Sequence, residues 1–280
     1  MTNPRPFKAA GVMGWPVAQS RSPRLHGYWF DRYKINGAYI LLPVHPDKVA
    51  DAVRGLVALG FAGCNVTIPH KQAVLPLLDH VDPLARRMGA VNLIVVGEDG
   101  KLSGFNKDGY GWFQCILEQK PDFDVKKGPA VVMGAGGGAR AIVFTLADEG
   151  APEIRLINRH QDRAEKLAAD CGKPVKVIPW EQRREALEGA NLLVNCTNQG
   201  MIGQQPLDLP LDRLPPSAYV SDIIYNPKET PLILAAKARG NATVGGLGML
   251  LHQGRPAFKA WFGVDPEVTP ELRKIIEATL

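Results

Sequence analysis

The chain has 280 residues, enough for a sizeable core and two domains. Hydrophobic residues make up 45% and charged residues 22%, which excludes a disordered or fibrous chain. The formal net charge of +5 comes from scattered Lys and Arg with no basic run, which fits small anionic ligands and argues against a nucleic-acid footprint.

In chain order, residues 9–15 read as a first strand, ended by Pro16 and the polar Gln19-Ser20-Arg21-Ser22-Pro23. A helix is expected over 23–33 and a strand over 39–44. Val49, Val53, Leu56 and Val57 recur at helical spacing within 47–59, and Gly60 ends that helix. A strand over 62–68 then runs into Pro69-His70-Lys71. This alternation predicts a parallel sheet. Residues 92–96 and 102–105 flank Glu98-Asp99-Gly100, a hairpin signal that adds an antiparallel portion.

A helix opens at Asp108-Gly109-Tyr110-Gly111, and the domain boundary is set there. Strands are expected at 130–133, 153–157, 175–178, 191–195, 218–224 and 242–244. Helices are expected at 138–149, 162–171, 182–188 and 231–239. The fold class is α/β. Residues 1–110 form an N-terminal domain with a mixed, mainly parallel sheet, and 111–248 form a doubly wound Rossmann-type domain. The helical tail, 249–280, returns to the first domain.

Residues 131–133 are an apolar strand that turns at once into Gly134-Ala135-Gly136-Gly137-Gly138-Ala139, followed by a helical segment. The G-x-G-x-x-G/A spacing falls on Gly134, Gly136 and Ala139. The first permits the tight turn, the second lets a pyrophosphate approach the backbone, and the third lets the helix pack close. The helix N-terminus offers N–H groups to phosphate. At the end of the next strand, NAD binders place an acidic residue, whereas this chain has Asn158 and Arg159, with Arg163 one turn on. Two guanidinium groups there favour NADP over NAD.

In the first half, Asn65-Val66-Thr67-Ile68-Pro69-His70-Lys71 puts Asn65 and Thr67 on one face of a strand near its C-terminal end, where open α/β sheets bind ligands. Lys71 is a candidate proton donor. Asn92 and Asp108 sit in turns, and an N-cap is the default role of Asp108. The cysteines, Cys64, Cys115, Cys171 and Cys196, are far apart, with no C-x-x-C pair. The six histidines show no ligand spacing, so no metal is expected. The segment Met1–Pro6 lacks the apolar core of a signal peptide, and no stretch approaches the roughly 18 apolar residues of a membrane span. The expectation is a cytoplasmic protein with reduced thiols, monomer or homodimer, with no nucleic-acid or membrane partner.

Taken together, these stretches resemble the shikimate dehydrogenase family over nearly the whole chain. The resemblance rests on Ser20-Arg21-Ser22, the Asn65–Lys71 stretch, Gly89-Ala90-Val91-Asn92, Asn106-Lys107-Asp108-Gly109 and Gly134-Ala135-Gly136-Gly137. It extends through Asn158-Arg159 with Arg163, Asn195–Met201, Asp222–Pro227 and Gly248–Gln253. It implies hydride transfer between NADPH and the C3 carbonyl of 3-dehydroshikimate, giving shikimate. By that resemblance Ser20 and Ser22 hold the ring carboxylate. Asn65, Thr67, Asn92, Asp108, Tyr225 and Gln253 surround the ring hydroxyls, and Lys71 with Asp108 forms the catalytic pair. Cofactor contacts are expected from residues 134–139, Asn158, Arg159, Arg163, Thr197, Met201, Ile223, Gly246 and Met249. The chain departs from the family pattern at Leu93 and Lys107, where Thr is usual, and at His160. These departures keep an alternative open: a paralogue acting on quinate or a modified shikimate, or a cofactor-binding protein with little turnover.

Overall fold

The structure, a computed structural model, describes residues 6–280, so the segment Met1–Arg5 lies outside the described residues. The chain divides into two compact units, one running through Lys107 and resuming at Leu251–Thr279, the other Asp108–Leu250. The sequence reading sets the seams at 110 and 249.

The first unit begins with strand β1 (Lys8–Gly14), which is buried along its C-terminal half. Near-continuous burial is what a central parallel strand requires. Helix α1 (Ser22–Tyr33), β2 (Gly37–Pro43), α2 (Val49–Ala58) and β3 (Phe61–Val66) follow. Of the four residues expected to form the α2 stripe, Val49, Val53 and Leu56 are buried and Val57 is 38% exposed, and Gly60 takes φ +69 beyond the helix end. After β4 (His80–Val81) and α3 (Pro83–Met88), strands β5 (Leu93–Val96) and β6 (Leu102–Phe105) form the expected hairpin. The sheet order is β2-β1-β3-β5-β6-β4. β1 is parallel to β2 and β3, and β5 is antiparallel to β3 and β6.

β4 and α3 have no counterpart in the sequence reading. Helix α3 is only six residues, too short for a periodicity, and is held by its ends. Asp82 accepts from the backbone N–H of Leu84 at 3.1 Å, and Gly89 closes the other end at φ +62.

In the second unit, α4 (Asp108–Gln119) precedes β7 (Ala130–Met133), α5 (Gly137–Asp148), β8 (Ile154–Ile157), α6 (Gln161–Cys171) and β9 (Val175–Val177). Then come β10 (Leu192–Asn195), β11 (Tyr219–Asp222), α7 (Pro231–Ala238), β12 (Thr243–Val244) and the start of α8 (Leu247–Phe262). The order β12-β11-β10-β7-β8-β9 is parallel throughout. It is the doubly wound arrangement, with its reversal between β7 and β10. The helix expected over 182–188 is instead two 3₁₀ turns, Trp180–Gln182 and Glu185–Leu187. Arg183 and Arg184, between them, reach out to Asp208 and Asp212, which holds the segment in separate turns.

From Leu251 on, α8 belongs to the first unit, as does α9 (Pro270–Glu277). The Trp261 indole N–H donates to Ile94 O at 3.0 Å, and Trp29, Phe258 and Trp261 are buried together. A Cβ at Gly254 would lie 2.9 Å from Leu25, so α8 packs directly on α1. Among the described residues no helix is long and apolar enough to cross a membrane.

Candidate active site

In the first unit the connection after β1 goes to one neighbour, β2, and the next returns to the other, β3. Ligand crevices open where such connections diverge. The ends of β1 and β3 are tied there: Thr67 N–H donates to Met13 O at 2.8 Å, and Trp15 N–H to Ile68 O at 3.0 Å. A Cβ at Gly14 would lie 2.5 Å from the Thr67 methyl. The chain leaving β1 carries Ser20 and Ser22, and the chain leaving β3 carries Thr67 and Lys71. Ser20 Oγ accepts the Ser22 backbone N–H at 3.3 Å.

Hydrogen bonds draw the remaining polar residues to this end. Asn65 donates through Nδ2 to Asn92 O at 3.1 Å. Lys71 O accepts Val91 N–H at 2.8 Å, which joins the lysine turn to the residue just before Asn92, in the loop that enters β5. Asn92 Oδ1 accepts Lys107 N–H at 2.8 Å, and Asn106 Nδ2 donates to Ala90 O at 3.0 Å. His70 is buried with its Nε2 2.8 Å from Val44 O, which ties the turn after β3 to the chain leaving β2. Lys71 and Gln253 are each half-buried, Gln253 on the part of α8 that packs against α1.

Tyr39 is a residue of this set that the sequence reading did not single out, because an aromatic in a strand signals only a core. Its O–H donates to Asn65 Oδ1 at 2.7 Å and it shares a hydrogen bond with Ser22. Burial pushes the phenol well above its ordinary value, with the nearby Cys64 adding to the effect and Ser22 opposing it. Tyr39 therefore stays a neutral donor and fixes which way the Asn65 amide faces.

Leu93 is buried on β5, paired with Asn65 and Phe105, and serves the core. The Lys107 ammonium lies 5.4 Å from the Phe105 ring centroid, a cation–π distance.

In the second unit the strand order reverses between β7 and β10, the place where doubly wound sheets receive ligands. Gly134 follows β7 with φ +108, and a Cβ there would lie 3.1 Å from the Cys196 carbonyl. The fold itself demands that glycine. Gly136 differs: its backbone is extended and a Cβ on it would meet nothing within 4 Å. Nothing in the protein requires a glycine at position 136, whereas an approaching pyrophosphate would. Ala139 is fully buried, as close helix packing needs. Gly138 lies under Ile223, whose Cδ1 would be 2.8 Å from an added Cβ.

At the end of β8, Asn158 donates through Nδ2 to His160 O at 2.8 Å, closing the turn that carries Arg159. Arg159 and Arg163 are exposed, and neither has a carboxylate in ion-pair range among the described residues. By contrast Arg140, Arg155, Arg183, Arg184 and Arg213 each sit on one.

The loops after β10 and β11 are held by Asp222, 1% exposed. Asn195 Nδ2 donates to both its oxygens at 3.2 Å, Thr230 Oγ1 donates at 2.7 Å, and Ile224 N–H at 3.0 Å. The Asn195 side-chain oxygen in turn accepts from the Thr197 N–H and hydroxyl. Ile223, Thr197 and Gly246 thus belong to one bonded cluster, Gly246 donating its N–H to Ile224 O at 3.0 Å. Met201 is 44% exposed on the same loop as Thr197. Tyr225 and Met249 are half-buried. Asp108 is the first residue of α4 and lies inside the helix, so the N-cap reading is corrected to a first-turn acid. Gly109 lets α4 sit against α5, with Thr145 Oγ1 2.0 Å from where a Cβ would be.

This arrangement defines the class: an α/β enzyme built to bind a dinucleotide, with a separate unit rich in short hydrogen-bonding side chains. Three family descriptions match the chain. They are "Shikimate dehydrogenase substrate binding domain" over 12–94, "Shikimate / quinate 5-dehydrogenase" over 116–204 and "Shikimate 5'-dehydrogenase C-terminal domain" over 246–270. A shikimate dehydrogenase (NADP(+)) of Paramagnetospirillum magneticum is 55% identical over 269 residues, covering 96% of this chain and 98% of that protein. One from Rhodospirillum rubrum is 52% identical, covering 96% of each. Among solved structures, shikimate 5-dehydrogenase from Thermus thermophilus, in complex with NADP(H) and shikimate, is 34% identical. Its TM-score is 0.87, with 98% of this chain and 100% of that one covered. Quinate dehydrogenase from Corynebacterium glutamicum, in complex with NAD, has TM-score 0.91 at 28% identity, covering 98% and 100%. The chain belongs to the shikimate dehydrogenase family.

Proposed function

We propose that this chain catalyses the reversible NADPH-dependent reduction of 3-dehydroshikimate to shikimate, an oxidoreductase reaction at a CH–OH group in aromatic amino-acid biosynthesis. The carrying observation is the bonded set at the end of the first sheet, where Asn65, Asn92 and the Lys71 turn are tied together by hydrogen bonds of 2.8–3.1 Å. A polyhydroxylated acid needs many short polar side chains in fixed orientations, and a site built that way rejects analogues lacking a hydroxyl.

In this reading Ser20 and Ser22 take the carboxylate, and Asn65, Thr67, Asn92, Asp108, Tyr225 and Gln253 take the hydroxyls. As hydride reaches the carbonyl carbon its oxygen gains negative charge. The Lys71 ammonium stabilises that charge and supplies the proton, and Asp108 orients the lysine. The glycine loop 134–139 takes the pyrophosphate. Asn158, Arg159 and Arg163 take the adenosine ribose and its 2′-phosphate. Thr197, Met201, Ile223, Gly246 and Met249 line the nicotinamide end. Fold similarity alone does not separate shikimate from quinate oxidation, since both kinds of enzyme superpose well on this chain. Identities of 55% and 52% with NADP-dependent shikimate dehydrogenases favour shikimate. The four thiols are unpaired, which suits a reducing cytoplasm, and we place the protein there as a monomer or homodimer.

The test is a set of steady-state rates with shikimate and quinate, each with NADP+ and NAD+. Shikimate with NADP+ is expected to be the best pair. Lys71→Ala is expected to lower kcat by roughly 10²–10⁴ while changing the shikimate KM far less. A variant that turns over normally overturns the role of Lys71, and preference for quinate overturns the substrate.

A further inference from the structure

We propose that Trp180 sets the strength of NADP selection, by holding the Arg159 guanidinium against its indole face where the 2′-phosphate is received. The inference rests on the reading of Arg159 as a phosphate ligand.

β8 and β9 are paired neighbours, and Ile178 N–H donates to Leu156 O at 3.0 Å, so the chain leaving β9 runs beside the chain leaving β8. This brings Trp180 beside the Asn158–Arg159 turn, with the Arg159 guanidinium carbon 5.7 Å from the indole centroid. A second guanidinium, from Arg183, lies 4.7 Å from the same ring. The two cations are used differently. Arg183 donates to Asp208 through both Nε (to the carbonyl, 2.8 Å) and Nη2 (to the carboxylate, 2.7 Å), and to Trp180 O at 3.0 Å. Its charge is balanced within the protein, and it anchors the turn that carries the indole. Arg159 has no carboxylate in range among the described residues, so its charge is left for a ligand.

Trp180 is itself fixed, half-buried against the core formed by residues such as Leu187, Leu193 and Leu214. An exposed arginine must give up rotamer freedom to clamp a phosphate. One already resting on a fixed aromatic face has lost part of that freedom, while its planar fork keeps its edge free to donate. NAD, which lacks the 2′-phosphate, gains nothing from this.

The experiment measures KM for NADP+ and NAD+ at saturating shikimate in the wild type, Trp180→Leu, Trp180→Phe, Arg159→Ala and the Arg159→Ala/Trp180→Leu double variant. Trp180→Leu is expected to raise the NADP+ KM roughly two- to fivefold and leave the NAD+ KM and kcat alone. Trp180→Phe, which keeps a π face, is expected to behave as wild type, and Trp180→Leu is expected to add nothing in the Arg159→Ala background. Equal changes for both cofactors, or a full additional loss in the double variant, overturn the role of Trp180. If Arg159→Ala itself leaves the NADP+/NAD+ ratio unchanged, the phosphate reading of Arg159 falls, and the inference falls with it. Trp180→Met is the second apolar replacement should Trp180→Leu lose its fold by thermal melt.

Discussion

Asp222 is a buried carboxylate whose hydrogen-bond donors are all neutral: an amide, a hydroxyl and a backbone N–H. Burial raises its pKa to about 6, and the bonds from Ile224, Thr230 and Asn195 limit the rise. The neighbouring Cys196 thiol is pushed well up, by burial first and by the Asp222 charge second, so it stays protonated and unreactive. The carboxylate's purpose is geometric, because it holds the ends of β10 and β11 and the start of α7 to one point. Asp222→Asn keeps the shape but points an NH₂ group at donors. The expected cost is about 1–3 kcal/mol in denaturant-measured stability. A several-fold rise in the NADP+ KM should accompany it, as the loops bearing Thr197 and Ile223 loosen. Unchanged stability together with an unchanged NADP+ KM would show that the cluster does not organise those loops.

Among the elements, the turn from β7 into α5 separates what folding needs from what binding needs. Gly134 at φ +108 and Gly246, where a Cβ would lie 2.1 Å from Ile223 O, are required by the chain itself. Gly136 is required by nothing in the chain. Gly136→Ala is therefore expected to cost less than about 1 kcal/mol of stability, mainly as a weaker N-cap. It should also raise the NADP+ KM by roughly tenfold or more through the lost approach of the pyrophosphate. Thermal melts beside NADP+ titrations check this, and a folded variant with normal affinity would remove the phosphate role of the loop. The same contrast explains what was legible in the sequence. Strands β7 and β10 show as apolar runs, and the glycine turn shows because the β7 run switches abruptly to Gly134. Helix α3 does not, because its capping residues outweigh any stripe. Residues 182–188 misled because their composition suits a helix while Asp208 and Asp212, more than twenty residues on, pull the arginines away. That Lys71, Asn65 and Asn92 would gather at one end of the first sheet was legible from their motifs. The contacts of Tyr39 and Trp180 were not, since Tyr39 on β2 reaches across β1 to Asn65 on β3 and Trp180 meets Arg159 from the turn after β8.

For the molecule as a whole, one buried group in each unit responds to acid, and the two pull in opposite directions. In the first, His26 is fully buried with neither ring nitrogen hydrogen-bonded, and it stacks on Tyr39 at 4.0 Å. Burial lowers its pKa from 6.5 to about 3. Its contribution to stability is complete above the unfolded value and is lost as pH falls from 6.5 towards 3, at about 1.4 kcal/mol per pH unit. In the second unit the folded pKa of Asp222 lies at about 6, above the unfolded 3.8, so its contribution is complete below 3.8 and is lost as pH rises through 6. Between pH 6 and 4, falling pH therefore weakens the first unit through His26 and strengthens the second through Asp222, by similar amounts. A global melt sums the two and hides both. Hydrogen-exchange protection factors separate them: from pH 6.5 to 4.5, amides of β1, β3 and α1 are expected to lose protection relative to those of β7, β10 and β11. His26→Phe should flatten the first-unit response whatever its packing cost, because packing does not depend on pH. Parallel losses in both units, or an unaltered slope in His26→Phe, would show that these buried groups do not govern the acid response.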